Sequence, residues 1–295
     1  MIEYVITQRR KSLGSFEVGR VLPHVQQRMV GPFVFFDHIG PIDFAPGIPR
    51  EVDVRAHPHM GLSTVTYLFE GEMMHRDSVG SAQAICPGEV NWMTAGRGIT
   101  HSERFEHARI HGGPMHGIQA WVALPAEDEE TDPTFVHHDA PDLPTYSSGG
   151  MWARLIAGEA FGAKAKVKTH SPMFYLHWRL DAGAKAQLAA EYPERAAYVV
   201  RGEVEVCGQR YHQGQMLIFA PGPPQLFEAL SPAIIMLLGG ESVGPRFVDW
   251  NFVSSSKERI DQAKSDWRAG RMKLPDLDNR EFVPLPEERL RALPE

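Results

Sequence analysis

Apolar residues along this 295-residue chain fall in short alternating or continuous runs, separated by Gly- and Pro-rich turns. That pattern predicts strands in most of the chain. Gly31-Pro32 precedes the apolar run Phe33-Val34-Phe35-Phe36, which ends in Asp37-His38. Residues 62–69 are rich in β-branched and aromatic side chains and stop at the turn Glu70-Gly71-Glu72. Further strands are predicted over 73–79, 90–94 and 116–124, with Pro87-Gly88-Glu89 as a turn. Residues 152–159, 174–180, 197–206 and 216–219 repeat the theme. Residues 198–206 parallel 67–73, and Gln213-Gly214-Gln215 parallels Pro87-Gly88-Glu89. Two related β-domains in tandem are therefore expected.

One helix breaks this pattern. Ser255-Ser256-Lys257-Glu258 carries a capping-box signature with Ser255 as N-cap. Ile260, Ala263 and Trp267 then recur at helical spacing, with Gly270 placed to end the helix. Beyond Leu274 the chain is charged and proline-rich, as expected of a tail that wraps the surface. The expected organisation is a metal-binding domain over 1–125, an exposed acidic linker over 126–135, a second β-domain over 136–245, and a helix and tail over 246–295.

Composition agrees. The 27 glycines and 23 prolines exceed ordinary usage and favour turn-linked strands over long helices. The net charge is −7, and the sequence has no Lys/Arg cluster suited to neutralising phosphates, so no direct nucleic-acid contact is expected. Cys86 and Cys207 form no CxxC pair, which fits a reducing compartment. The N-terminal residues form no signal-like apolar stretch, and the longest apolar run, 233–238, cannot span a bilayer. A cytoplasmic protein without a membrane partner is expected.

The chemistry concentrates between residues 55 and 103. Ala56-His57-Pro58-His59-Met60-Gly61 and Thr100-His101-Ser102-Glu103 each place two potential ligands two residues apart. On strands such pairs share a face. If the two strands are neighbours across a small barrel, His57, His59, His101 and Glu103 converge. Three imidazoles and a carboxylate suit a divalent first-row ion, with iron, manganese, cobalt, nickel, copper and zinc all compatible. Alternation unbroken from His57 would add Ser63, Val65, Tyr67 and Phe69 to the same face, whereas a bulge near Gly61 would reverse it. His75 and Asp77 also share a face; such a pair can support a metal ligand, although a partly solvated strand face is the ordinary outcome. His107, His111 and His116 lie outside paired motifs and are read as loop or pocket-rim residues. The adjacent His137 and His138 would diverge on a strand. The second domain has no matching pairs: Glu191-Tyr192-Pro193-Glu194 and Pro221-Gly222-Pro223-Pro224-Gln225 stand in their places, so that domain is expected to be metal-free and structural.

These motifs resemble the pirin family of bicupins. The resemblance is carried by residues 55–61, by Thr64-Val65-Thr66-Tyr67-Leu68-Phe69-Glu70-Gly71, by residues 92–103, and by His116-Gly117-Ile118-Gln119-Ala120-Trp121-Val122. Leu238-Gly239-Gly240-Glu241 and the helix through Arg268-Ala269-Gly270-Arg271 add to it. It is dense over about 30–124, weak through the second domain and moderate in the tail. The resemblance implies an all-β fold of two tandem jelly-roll-like cupin barrels with a C-terminal helix. It also implies iron(II) held by His57, His59, His101 and Glu103, and in several members the opening of flavonols such as quercetin with dioxygen. One departure is Ser63-Thr64, where the family usually carries a glutamate after the histidine pair, so the pocket wall near Ser63 is expected to differ. The implied partners are a flavonol-like aromatic substrate and O2, with Glu103 acting as both ligand and general base. An alternative from the same family is an iron-dependent redox-sensing regulator that binds a protein partner. The ligand types alone also permit a metal hydrolase or isomerase.

Overall fold

The structure, a computed structural model, describes residues 1–12 and 16–286. It contains two double-layered β-domains in tandem, as the repeat predicts. In the first, a seven-stranded sheet faces a four-stranded one; in the second, an eight-stranded sheet faces another of four. The ladders are antiparallel. The two large sheets lie back to back. Phe33, Phe36, Val65, Tyr67, Trp92 and Ile118 from the first domain pack with Ile156, Tyr175, Tyr198, Met236 and Leu238 from the second in one apolar layer. The interior of the second domain is filled by its own apolar side chains, among them Phe174, Trp178, Val199, Leu217 and Phe227.

The expected boundaries are crossed by strand exchange. Ile2–Thr7 pairs with Gln215–Phe219 of the second domain, and Thr134–His138 pairs with Val90–Thr94 of the first. The acidic stretch between the domains is exposed over much of its length, but Glu129 within it is anchored to the protein. Glu129 is buried, sits 3.0 Å from Arg246, and accepts from Ser254 Oγ (2.7 Å) and Ser255 N (2.8 Å). Asp128 meets His170 at 2.8 Å and Glu130 meets Arg259 at 2.6 Å. Of the run, Glu129 alone is buried, and Arg246 with two serines satisfies its charge there; Glu127 and Glu130 stay exposed.

The helix is Lys257–Arg268, with Ile260, Ala263 and Trp267 buried as expected. Its N-cap is Ser256, one residue later than the sequence suggests, and Ser256 Oγ accepts from Arg259 N at 3.2 Å. Ser255 is engaged elsewhere, on Glu129. The tail does wrap the first domain: Val283 N donates to Ala56 O at 2.8 Å, and Trp267 Nε1 donates to Val283 O at 3.1 Å. The part of that tail over 287–295 lies outside the described residues.

Alternation from His57 does not continue. Gly61 has φ +72°, and a Cβ there would lie 1.9 Å from the carbonyl oxygen of Val253. This left-handed residue, open to glycine alone, turns the chain from the small sheet into the large one. The parity resets. Val65 and Tyr67 face the second domain, and Ser63 bonds Thr94 at 3.1 Å on that same outer side. Thr66 points inward instead, donating to Gln119 Oε1 at 2.8 Å.

Polar groups cross the interdomain layer. Tyr198 Oη donates to Gln8 Oε1 (2.6 Å) and therefore accepts from His38 Nδ1 (2.8 Å); His38 Nε2 in turn accepts from His116 Nε2 (2.8 Å). His116 is thus buried in a strand, not placed on a pocket rim. Tyr67 Oη meets His177 Nδ1 at 2.8 Å. Burial, assisted by the charge of His116, pushes His38 down to about 3; burial and then Arg179 and Arg154 take His177 to about 3. Both rings are neutral in the folded chain and titrate near 6.5 once unfolded. Between about 6.5 and about 3 the unfolded chain binds the extra protons, so stability falls as pH falls. Each ring contributes up to about 1.4 kcal/mol per pH unit. Urea unfolding at pH 7, 6 and 5 is expected to show this decline, with a shallower slope in His177→Gln; an unchanged slope contradicts it.

Candidate metal centre

Val54–His59 and Ile99–Arg104 are hydrogen-bonded neighbours in the four-stranded sheet, with His101 opposite His57 and Ile99 opposite His59. The register shifts between His101 and Glu103. Period-2 geometry aims both pairs into the barrel. The ring centroids of His57, His59 and His101 lie 4.3–5.1 Å apart, and one nitrogen from each falls within 4.8 Å of the others. All three rings and Glu103 are buried.

The second nitrogen of two of these rings is committed. His57 Nδ1 donates to Arg55 O at 2.9 Å, which leaves Nε2 as the free lone pair. His101 Nδ1 lies 3.3 Å from His75 Nδ1, and its Nε2 has no hydrogen-bond partner among the described residues. Glu103 Oε1 is equally orphaned. Buried polar atoms seldom remain unpaired. An imidazole lone pair and a carboxylate oxygen left over in one pocket are what a divalent cation would satisfy.

Burial sets the protonation. It lowers His57 to about 4, against the Arg55 carbonyl and with the charge of His75, and holds His59 and His101 well below the ordinary range. All three are neutral near pH 7, the form that binds metal. Burial raises Glu103 to about 7, opposed by a hydrogen bond from Gln119.

The site opens on a cavity of about 560 Å3, inside the usual small-molecule range of roughly 300–1,000 Å3. Phe16, Phe35, Ile39, Met73, Phe105 and Trp121 supply apolar walls; Arg20, Asp37 and Gln119 supply polar points. Trp121 stacks on Phe35 (centroids 4.0 Å, 12° between planes) and meets His59 edge-on at 5.0 Å. Arg20 grips Asp37 with two bonds of 2.8 Å and lies over Phe35 at 4.4 Å. Trp250, Asn251 and Val283 close the cavity from beyond the second domain.

The sequence-based expectations divide accordingly. His57, His59 and His101 come together, while Glu103 lies outside that group of three and lines the same cavity as His57 and His59. Ser63, Val65 and Tyr67 do not join them, so the Ser63 side chain is no part of the pocket wall. His107 and His111 lie on the short helix Glu106–His111 with exposed side chains. His75 and Asp77 are both buried and bonded to each other at 2.9 Å, not on a solvated face. Gln119, Arg20 and the arm residues Trp250 and Asn251 escaped sequence reasoning; the one available signal was that Gln119 and Trp121 share a strand face. His137 sits 3.3 Å from Asp139 and 3.7 Å from Glu89 in a separate group, where Asp139 is largely exposed.

This pair of barrels, one holding a buried three-histidine pocket beside a carboxylate, defines a bicupin with a divalent-metal type of site. The profile described as Pirin matches residues 15–122, and that described as Pirin C-terminal cupin domain matches residues 175–273. The chain belongs to the pirin family. It is 66% identical over 288 residues to a pirin-like protein of Caulobacter vibrioides, covering 97% of this chain and 100% of that one. It is 31% identical to human pirin over 273 residues, 89% of this chain and 90% of the other. A crystal structure of quercetin 2,3-dioxygenase from Acinetobacter baumannii aligns with TM-score 0.86 and 31% identity, covering 98% of this chain and 97% of that one. Among the described residues no helix is long and apolar enough to cross a membrane.

Proposed function

We propose that this protein is a metal-dependent dioxygenase that opens flavonols such as quercetin with O2, using iron(II) held by His57, His59, His101 and Glu103. The observation that carries this is the pairing of orphaned donors on His101 and Glu103 with a largely apolar cavity of about 560 Å3. The kinship with a solved quercetin 2,3-dioxygenase supports the choice of substrate.

A bound divalent ion would supply a Lewis acid that favours the ionised form of a flavonol hydroxyl, and the redox chemistry that dioxygen requires. The chain's residues do the rest. Glu103, a buried carboxylate with one oxygen unpartnered among the described residues, is the group in the pocket that would take the hydroxyl proton. Thr66 orients Gln119, whose amide faces Glu103 and steadies the carboxylate. The stacked pair Phe35 and Trp121 gives a flat wall for a planar ring system, and the Arg20–Asp37 fork offers donors and acceptors to ring hydroxyls. The apolar walls keep water from the activated ring.

The test is an oxygen electrode with quercetin as substrate and protein loaded side by side with iron(II), manganese, cobalt, nickel, copper or zinc. Uptake is expected with iron(II) and absent without metal. Equal uptake by metal-free protein overturns the proposal.

A further inference from the structure

We propose that Asp77 and His75 are positioning residues that fix His101 in the tautomer able to bind metal. The inference rests on the metal site proposed above and extends it to two residues outside the ligand set. Ile99–Arg104 pairs with Met73–Asp77 so that His101 lies opposite Asp77 and Glu103 opposite His75. The tight turn after Asp77 anchors the relay: Asp77 Oδ1 accepts from Val79 N (3.0 Å) and Ser81 N (2.9 Å). This leaves Oδ2 to accept from His75 Nε2 at 2.9 Å. Burial raises the Asp77 carboxyl, but the bonds from His75 and Ser81 outweigh it and hold the group below its ordinary range. An ionised carboxylate only accepts, so His75 carries its proton on Nε2.

In the tautomer that carries its one proton on Nε2, His75 presents the Nδ1 lone pair as an acceptor, and the atom 3.3 Å away is His101 Nδ1. His101 then donates from Nδ1, which leaves Nε2, without a partner among the described residues, as its lone pair. The reverse tautomer of His75 would place a proton on His101 Nε2 and block it as a ligand, and Asp77 forbids that arrangement. Phe135 clamps the relay, stacking on the His75 ring at 4.3 Å and 15°. Carboxylate–imidazole chains of this kind orient ligand histidines and raise their basicity.

The test measures cobalt(II) affinity of the full chain by chelator competition, with the visible cobalt spectrum as a record of ligand geometry. His75→Phe keeps the ring and the stacking on Phe135 but removes the acceptor. It is expected to weaken binding by about 10- to 100-fold and to alter the spectrum. His75→Asn places a carbonyl oxygen near the position of Nδ1 and is expected to restore most of the affinity. Unchanged binding and spectrum in both variants overturn the relay, as does equal weakening in both, which marks a packing role. If His75→Phe fails to fold, Asp77→Asn decides: weaker binding in a folded chain supports the relay, and wild-type affinity overturns it. A wild-type chain that binds no cobalt overturns the metal site itself and the relay with it, a result distinct from failure of the relay alone.

Discussion

Replacing His101 by alanine is expected to abolish stable metal binding and to reduce quercetin turnover to the metal-free background. His101 supplies a nitrogen with no other partner among the described residues, beside two rings whose centroids lie 4.3 and 5.1 Å away. Its loss leaves two imidazoles and a carboxylate that burial already pushes toward the protonated form. The effect should exceed the roughly 100-fold ceiling typical of residues that merely support a ligand. Metal content after reconstitution and gel filtration provides the readout, with unfolding midpoints to confirm that the variant folds. Full occupancy in His101→Ala contradicts the assignment.

The second large effect belongs to Arg104, the neighbour of Glu103. Its side chain is 2% exposed and joins the first domain to the C-terminal arm: Nε and Nη2 donate to the two oxygens of Asp278 (2.6 and 2.8 Å), while Nη1 reaches Asp53 at 3.4 Å. Glu281 adds a contact of 3.1 Å. Arg104→Met keeps much of the volume and removes the cation, stranding the buried carboxylate of Asp53 and the largely buried one of Asp278. Breaking a buried pair from one side costs about 3–5 kcal/mol. Arg109, at 2.7 Å from Asp53, holds that carboxylate in place, so the damage should fall chiefly on the arm. The expected results are a urea midpoint lowered in proportion and faster proteolysis after residue 274. An unchanged midpoint with a protected arm would show that the cluster adds nothing net.

The convergence of His57, His59 and His101 was readable because it depends on strand parity: the pairs His57 with His59 and His101 with Glu103 can be picked out with no knowledge of distant contacts. The face of the following strand was not readable, because a single dihedral at Gly61 reverses it and either outcome fits the same letters. Strand exchange was hidden for another reason. Residues 2–7 form an ordinary strand, and nothing local says that its partner lies at 215–219. The burial of Glu129 within an otherwise exposed acidic run was not readable, because Arg246, which meets it, sits more than a hundred residues away. Three consecutive serines made the helix cap ambiguous by one position, and only the engagement of Ser255 by Glu129 decides it. His38 and His177 carry no motif because Tyr198 and Tyr67 reach them only when the two domains dock, and His116 pairs with His38 across a neighbouring strand. Their burial is tertiary information.

The most direct measurement is carbon monoxide released and oxygen consumed per quercetin lost, using chain reconstituted anaerobically with iron(II) beside His101→Ala. The account predicts one O2 taken up and one carbon monoxide released per quercetin by the iron-loaded chain, with neither from the variant. Bound iron with no oxygen uptake and no carbon monoxide, or equal turnover by the variant, would contradict it.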